Sequence, residues 1–187
     1  MDQSTNVRRE AWYAAGEALL AYLSPRIGVQ PAQLAGPAAL DPVGDGSAAR
    51  VYEEMRLTCA GPLAAILAEG SRPADRAVSL EERAHLVMLF MESCGPRALA
   101  ELYGAEPRTI ERAYAATELL LRAHWGSVRR VAEWLTSCGC LQADQVRGAI
   151  ESAPPEVLIG EPESLLECVA AAAGDPQLEA ASALLAS

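Results

Sequence analysis

The sequence predicts an all-α fold, or one nearly so, and three observations carry that prediction. Only 5% of the 187 residues are aromatic and Val and Ile are sparse, so a sheet-dominated core would lack the β-branched and aromatic side chains it needs. Ala is the commonest residue and has the strongest intrinsic preference for helix. Apolar residues recur at spacings of three and four in several windows, with Gly and Pro punctuating between them. With 51% hydrophobic and 21% charged residues, the composition is that of a globular chain. The length suits one domain over residues 1–150 with a C-terminal helical appendage over residues 151–187.

The elements follow in order. Trp12, Ala15, Leu19, Tyr22 and Leu23 place an amphipathic helix over Thr5 to Leu23, capped by Thr5 or Asn6 and closed by Ser24-Pro25. Between Pro25 and Ala49 the density of Pro and Gly excludes a long helix and leaves Val29-Gln30 and Leu34 as short strand fragments. A second helix covers Val51 to Glu69 and stops at Gly70. A third opens at Ser79, where Ser79 and Glu82 form a capping-box pattern, and runs to Ser93. Gly95-Pro96 restarts a short helix ending at Gly104.

Glu106-Pro107 then opens a long helix in which Ile110, Tyr114, Thr117, Leu121, His124, Val128, Val131, Leu135 and Cys138 form one buried stripe. A kink is expected at Gly126, and Cys138-Gly139-Cys140 ends the helix. Short helices follow over Ala143 to Glu151, Pro162 to Ala172 and Pro176 to Ala186, with Ala153-Pro154-Pro155 as a linker.

The available chemistry is narrow. All 15 basic residues are Arg, since the chain has no Lys, which excludes an internal pyridoxal Schiff base, a Walker A loop and a kinase-type Lys–Glu pair. A formal charge of −10, from 25 acidic and 15 basic side chains, opposes binding to phosphate backbones, so nucleic acid is not expected as a partner. The only imidazoles are His85 and His124. Five cysteines in apolar helical surroundings and the lack of a signal-type apolar stretch lead to the expectation of reduced thiols and a cytoplasmic location. No run approaches the roughly 20 apolar residues needed to span a bilayer, the Ala-rich tail being broken by Gly174, Asp175 and Pro176. Membrane insertion is not expected. A homodimer is left open.

The stretch Ala11-Trp12-Tyr13-Ala14-Ala15-Gly16-Glu17-Ala18-Leu19 resembles the A-Y-H-E-A-G-H-A-L helix of FtsH-type zinc peptidase domains. Arg56 to Gly70, with its Cys59-Ala60-Gly61-Pro62-Leu63-Ala64-Ala65-Ile66-Leu67 core, is similar to the L-x-G-G-R-A-A-E-E-L-x-x-G helix of that family, with Cys94 to Gly104 as a competing register. His124 to Leu135 and Leu141 to Val146 are similar to the last helices of its stand-alone members. The resemblance implies a helical peptidase-like domain to about Ile150.

In that family H-E-x-x-H supplies two zinc-binding imidazoles on one helix face and a Glu general base. Here those positions hold Tyr13, Ala14 and Glu17. The position of the family's third ligand, an Asp, falls at Ser79, with Asp75 reached by a register slip. The resemblance therefore implies a pseudoenzyme with no metal and no cofactor. Its remnant cleft, lined by Tyr13, Glu17, Asp75 and Ser79, is expected to grip a protein, peptide or small-molecule ligand.

Two alternatives stand beside this reading. In one, a repurposed non-zinc enzyme uses Glu17 and Tyr13, with Asp75 or Arg72, as acid/base groups. In the other, the chain is an unrelated all-helical interaction module, as would follow if the helices around Tyr13 and Gly61 did not face each other. For the remaining residues the structural reading is preferred. Glu10, Tyr13 and Glu17 share a face that in an ordinary surface helix is solvated or Arg-paired. His124 suits a core histidine and His85 a surface pair with Glu81, while Cys138-x-Cys140, a spacing open to a soft metal or to disulfide cycling, lacks a second pair to complete a metal site and lies far in sequence from Cys168.

Overall fold

Among the described residues the fold is all-α with one minimal strand pair. The computed structural model describes residues 3–24, 31–34, 48–69, 78–79, 81–82, 84–86, 88 and 108–153, and most of these are helical. The elements are α1 (Gln3–Leu23), β1 (Ala32–Gln33), α2 (Ala48–Ala68), α3 (Arg108–Ala123), α4 (Trp125–Cys138), β2 (Cys140–Leu141) and α5 (Ala143–Glu151).

Small side chains place α1 at the centre. It packs against α2 on one side and α4 on the other, while α2 also packs against α3, and α4 against α5. From Glu10 to Ser24 no residue is exposed, a burial wider than the single stripe expected of an amphipathic helix. Ala11, Ala14, Ala15, Ala18 and Ala21 are all buried, and their methyl groups let two neighbours approach at once.

Helices α1 and α2 are antiparallel, with Arg9 paired to Glu69 at 3.5 Å and Gly16 set against Ala60 and Ala64. A Cβ on Gly16 would overlap the Ala60 carbonyl oxygen and lie 2.6 Å from the Ala64 Cβ. On the other side of α1 the rings of Trp12 and Trp125 stack with centroids 5.1 Å apart and planes 5° from parallel, an arrangement that adds to the area both rings bury.

The long helix expected up to Cys138 is two helices. The break is at His124, with φ −113° and ψ 29°, and not at Gly126, which lies buried within α4. Hydrogen bonding continues across it, since the His124 N–H donates to Leu120 O at 3.0 Å and the His124 carbonyl accepts from Val128 N–H at 3.1 Å. The bend lets the two halves serve different neighbours, α3 packing on α2 and α4 on α1.

Burial along α3 also exceeds a stripe. Every residue from Ala113 to Ala123 is buried, so the charges of Glu118 and Arg122 must be met inside the protein. Nε and Nη2 of Arg122 both donate to Glu118 Oε1, at 3.0 and 2.8 Å. Cys138, the last member of the predicted stripe, is exposed, because the helix ends there. Gly139 adopts φ +78° and its N–H donates to Leu135 O at 2.8 Å, a left-handed helix end that glycine adopts without a Cβ penalty.

The reversed chain pairs antiparallel with β1, Ala32 facing Leu141 and Gln33 facing Cys140. The strand thus lies at Ala32–Gln33, with Leu34 just beyond it donating its N–H to Gly139 O at 3.1 Å. Helix α5 covers the predicted Ala143 to Glu151, and its first turn is closed by Gln145 Oε1 accepting the Gln142 N–H at 2.9 Å. The Ser127 hydroxyl, donating to Ile150 O at 3.3 Å, ties α5 to α4.

Two helix starts differ from the sequence reading. Helix α1 begins at Gln3, so Thr5 and Asn6 lie inside it and do not cap it, and α2 begins at Ala48, three residues before Val51. Val29-Gln30, the short helix from Gly95-Pro96 to Gly104 and the helices over Pro162 to Ala172 and Pro176 to Ala186 lie outside the described residues. Among the described residues no helix is long and apolar enough to cross a membrane.

The close crossing gives a signed prediction for Gly16→Ala. Helix propensity would favour alanine by about 1 kcal/mol, but the added methyl meets the backbone carbonyl of Ala60, and overpacking of that kind costs about 1–3 kcal/mol. Urea denaturation should therefore show a lower midpoint for Gly16→Ala, and a still lower one for Gly16→Val.

Candidate functional site

A helix face of period 3.6 puts Tyr13, Gly16, Glu17 and Leu20 on one side of α1, and that side meets α2. Opposite Tyr13 the chain of α2 has Gly61, where a Cβ would lie 2.5 Å from Tyr13 Cε1 and 2.6 Å from Cδ1. The tyrosine ring thus occupies space that any larger residue at position 61 would fill. Pro62 follows directly, inside the helix. Having no N–H, it contributes no donor to the α2 ladder at the turn against which the ring rests.

One turn beyond Tyr13, Glu17 receives the hydrogen bond of its hydroxyl. Both residues are half-buried, and burial dominates their acid–base behaviour. Loss of water raises the Glu17 carboxyl to about 7, partly opposed by the Tyr13 hydrogen bond. The phenol of Tyr13 is pushed up to about 12, first by burial and then by the negative charges of Glu17 and Cys59. Cys59, on α2, is fully buried beside Tyr13, and burial pushes its thiol up to about 12. At neutral pH the group holds a protonated phenol, a protonated thiol and a carboxyl close to half-ionised.

This arrangement can donate and accept hydrogen bonds and can hold one proton near neutrality. Tyr13, Glu17 and Cys59 present one carboxylate, one phenol and one thiol, a donor set without imidazole. Among the described residues no group of three or more His, Cys, Asp and Glu side chains is placed to hold a metal ion.

Of the other expected members, Ser79 alone lies among the described residues. Ser79 is exposed, and both of its hydrogen bonds are with Glu82: its N–H donates to Glu82 Oε2 at 2.8 Å, and its hydroxyl accepts the Glu82 N–H at 3.2 Å. That reciprocal pair is the capping box read from the sequence, and it gives Ser79 a helix-starting role. Asp75 and Arg72 lie outside the described residues, as do Cys94 to Gly104 and with them the competing register of the second motif. His124 is half-buried and burial lowers its imidazole below the ordinary value, which suits the core histidine expected. His85 and Glu81 are both exposed.

Two features escaped the sequence reading. Cys59 was part of a motif but had no role, and only the antiparallel crossing brings it to Tyr13. The buried Glu118–Arg122 pair is the second, and its signal is Glu-x-x-x-Arg set among the Ala, Tyr and Leu residues between Ala113 and Ala123.

The described residues thus form a helical fold with a half-buried Tyr–Glu pair at the crossing of α1 and α2. No family model matches the chain, and no curated protein matches it.

The carboxyl of Glu17 gives a pH prediction. Its folded-state value of about 7 lies above the ordinary 4.5, so the folded protein binds the proton more tightly than the unfolded chain. The stability this confers is complete below about pH 4.5 and is lost as pH rises through about 7, a swing on the order of 3 kcal/mol. Glu17→Gln removes the titration. Its unfolding free energy relative to the native protein should therefore rise between pH 5 and pH 8 in parallel urea titrations, whereas a constant difference would show that the carboxyl is not desolvated.

Proposed function

We propose that this chain is a catalytically silent relative of the FtsH-type zinc peptidase domains, working as a binding or scaffolding protein through the face that bears Tyr13 and Glu17. One observation carries the reading: two of the segments on which the resemblance rests pack against each other, the Tyr13 ring lying directly on Gly61. That contact favours the family reading over an unrelated helical module.

Around it, the positions that packing needs are kept while those that chemistry needs are changed. Ala11, Ala15, Gly16, Ala18 and Leu19 are buried, whereas Tyr13, Ala14 and Glu17 stand where the family has two imidazoles and a general base. Ala14 is itself buried and carries no group that could activate water. A ligand on this face, whether protein, peptide or small molecule, would meet the Tyr13 hydroxyl and the Glu17 carboxyl. Truncating a hydrogen-bonded charge buried at an interface costs about 2–5 kcal/mol of affinity.

A second reading has its own observation, because a carboxyl near 7 beside a phenol is suited to general acid–base work at neutral pH. In that case the face belongs to a repurposed enzyme, and Glu17→Ala would abolish turnover while leaving binding in place.

The family reading is tested by rebuilding the lost ligands. A variant carrying Tyr13→His, Ala14→Glu, Glu17→His and Ser79→Asp should bind Zn²⁺ at one ion per chain after dialysis. The native chain should bind none at that stoichiometry and should not hydrolyse casein with Zn²⁺ added. Circular dichroism confirms that the variant is folded. A folded variant that binds Zn²⁺ no better than one carrying Tyr13→His and Glu17→His alone would overturn the placement of Ser79. Failure of both variants to bind would overturn the family reading.

A further inference from the structure

Two thiols at the far end of α4 stand apart from the Tyr13–Glu17 face. Cys138 closes the helix and Cys140 opens β2, with Gly139 between them turning the chain at φ +78°. Both cysteines are free and exposed, whereas Cys59 is buried. The Cys138 sulfur lies between the last helical turn and the backbone of its neighbour, 2.9 Å from Trp134 O and 3.1 Å from Cys140 O. A thiol has a single proton, so it can donate to only one of these carbonyls at a time. The pair is also local to one short turn, so joining the sulfurs does not require distant segments to move.

From this we propose that Cys138 and Cys140 are a dithiol modification site that undergoes thiol–disulfide exchange with small-molecule disulfides, closing to an intramolecular disulfide across Gly139. Cys140 reacts first, because the Cys138 thiol is engaged with main-chain carbonyls and must give up that bond before it can attack. The sulfur of Cys140 loses its proton to solvent and attacks one sulfur of the oxidant. The oxidant's S–S bond breaks and one thiol leaves, with Cys140 held in a mixed disulfide. The sulfur of Cys138 then loses its proton and attacks the Cys140 sulfur, expelling the second thiol. The protein gives up two protons and two electrons, and the oxidant is reduced to two thiols.

The absence of Lys makes the test direct. Trypsin cutting after Arg130 and Arg147 releases residues 131–147, a peptide whose only cysteines are Cys138 and Cys140. The native chain is incubated with oxidised glutathione, alkylated and digested. Mass spectrometry should find this peptide lighter by two hydrogens and unalkylated, with Cys59 alkylated only after denaturation. Cys138→Ser should stop at a stable glutathione adduct on Cys140, and Cys140→Ser should react much more slowly than the native chain. Glutathione adducts with no internal disulfide in the native protein, pairing of either residue with Cys94 or Cys168, or full alkylation of both thiols would each overturn the proposal. Faster reaction of Cys140→Ser than of Cys138→Ser would overturn the order of attack.

Discussion

The approach of α1 to α2 at Gly16 is the constraint on which the rest of the architecture depends. With no side chain there, the α1 backbone comes close enough for the Ala60 carbonyl oxygen to occupy the place of a Cβ. At that separation the Tyr13 ring can lie on α2 only where α2 also lacks a side chain, which is Gly61. The other side of the same helix carries Trp12, whose stack on Trp125 fixes the start of α4. Because α3 is held on α2 and α4 on α1, the chain between them must turn, and it turns at His124. A change in the separation of α1 and α2 would thus be felt by both aromatic contacts and by the bend.

Two carboxylates in this protein meet burial in different ways. Glu118 is fully enclosed but has a guanidinium 2.8 Å away, so its charge is answered where it lies. Glu17 is less enclosed, yet the hydrogen-bond donor beside it is a neutral phenol, which offers a dipole and no opposing charge. A dipole recovers part of what desolvation removes, and the carboxyl therefore holds its proton up to about 7. The same geometry that seats Tyr13 on Gly61 places its hydroxyl one turn before Glu17, so the packing contact and the titrating group arise from a single arrangement.

Much of the fold was legible in the sequence. Helix α5, the termination at Gly139, the Ser79–Glu82 box and the joint core of the long helices all follow from local rules of capping and periodicity, which act within a few residues. The deviations are tertiary. Burial around α1 and α3 exceeds a stripe because each has neighbours on several sides, and periodicity reports only that one face is apolar. The bend fell at His124, two residues before the glycine, because the partners of α3 and α4 differ and not because a residue there is flexible. At the site, the pairing of Tyr13 with Glu17 was readable from their four-residue spacing. The part played by Cys59 was not, since 42 residues or more separate it from both and only the antiparallel register brings it near Tyr13.

On the proposed reading, the substitutions at the inherited ligand positions are coupled by volume and by charge. A tyrosine is larger than a histidine, and its ring needs the room that Gly61 leaves. A carboxyl in place of the second imidazole would be an isolated buried anion without a donor, and the tyrosine hydroxyl one turn earlier supplies that donor. Neither side chain sits as well alone as with the other: without Glu17 the half-buried phenol loses its acceptor, and without Tyr13 the carboxyl loses the interaction that opposes its desolvation. The pair is therefore self-consistent, each side chain supplying the hydrogen-bond partner that the other's burial requires.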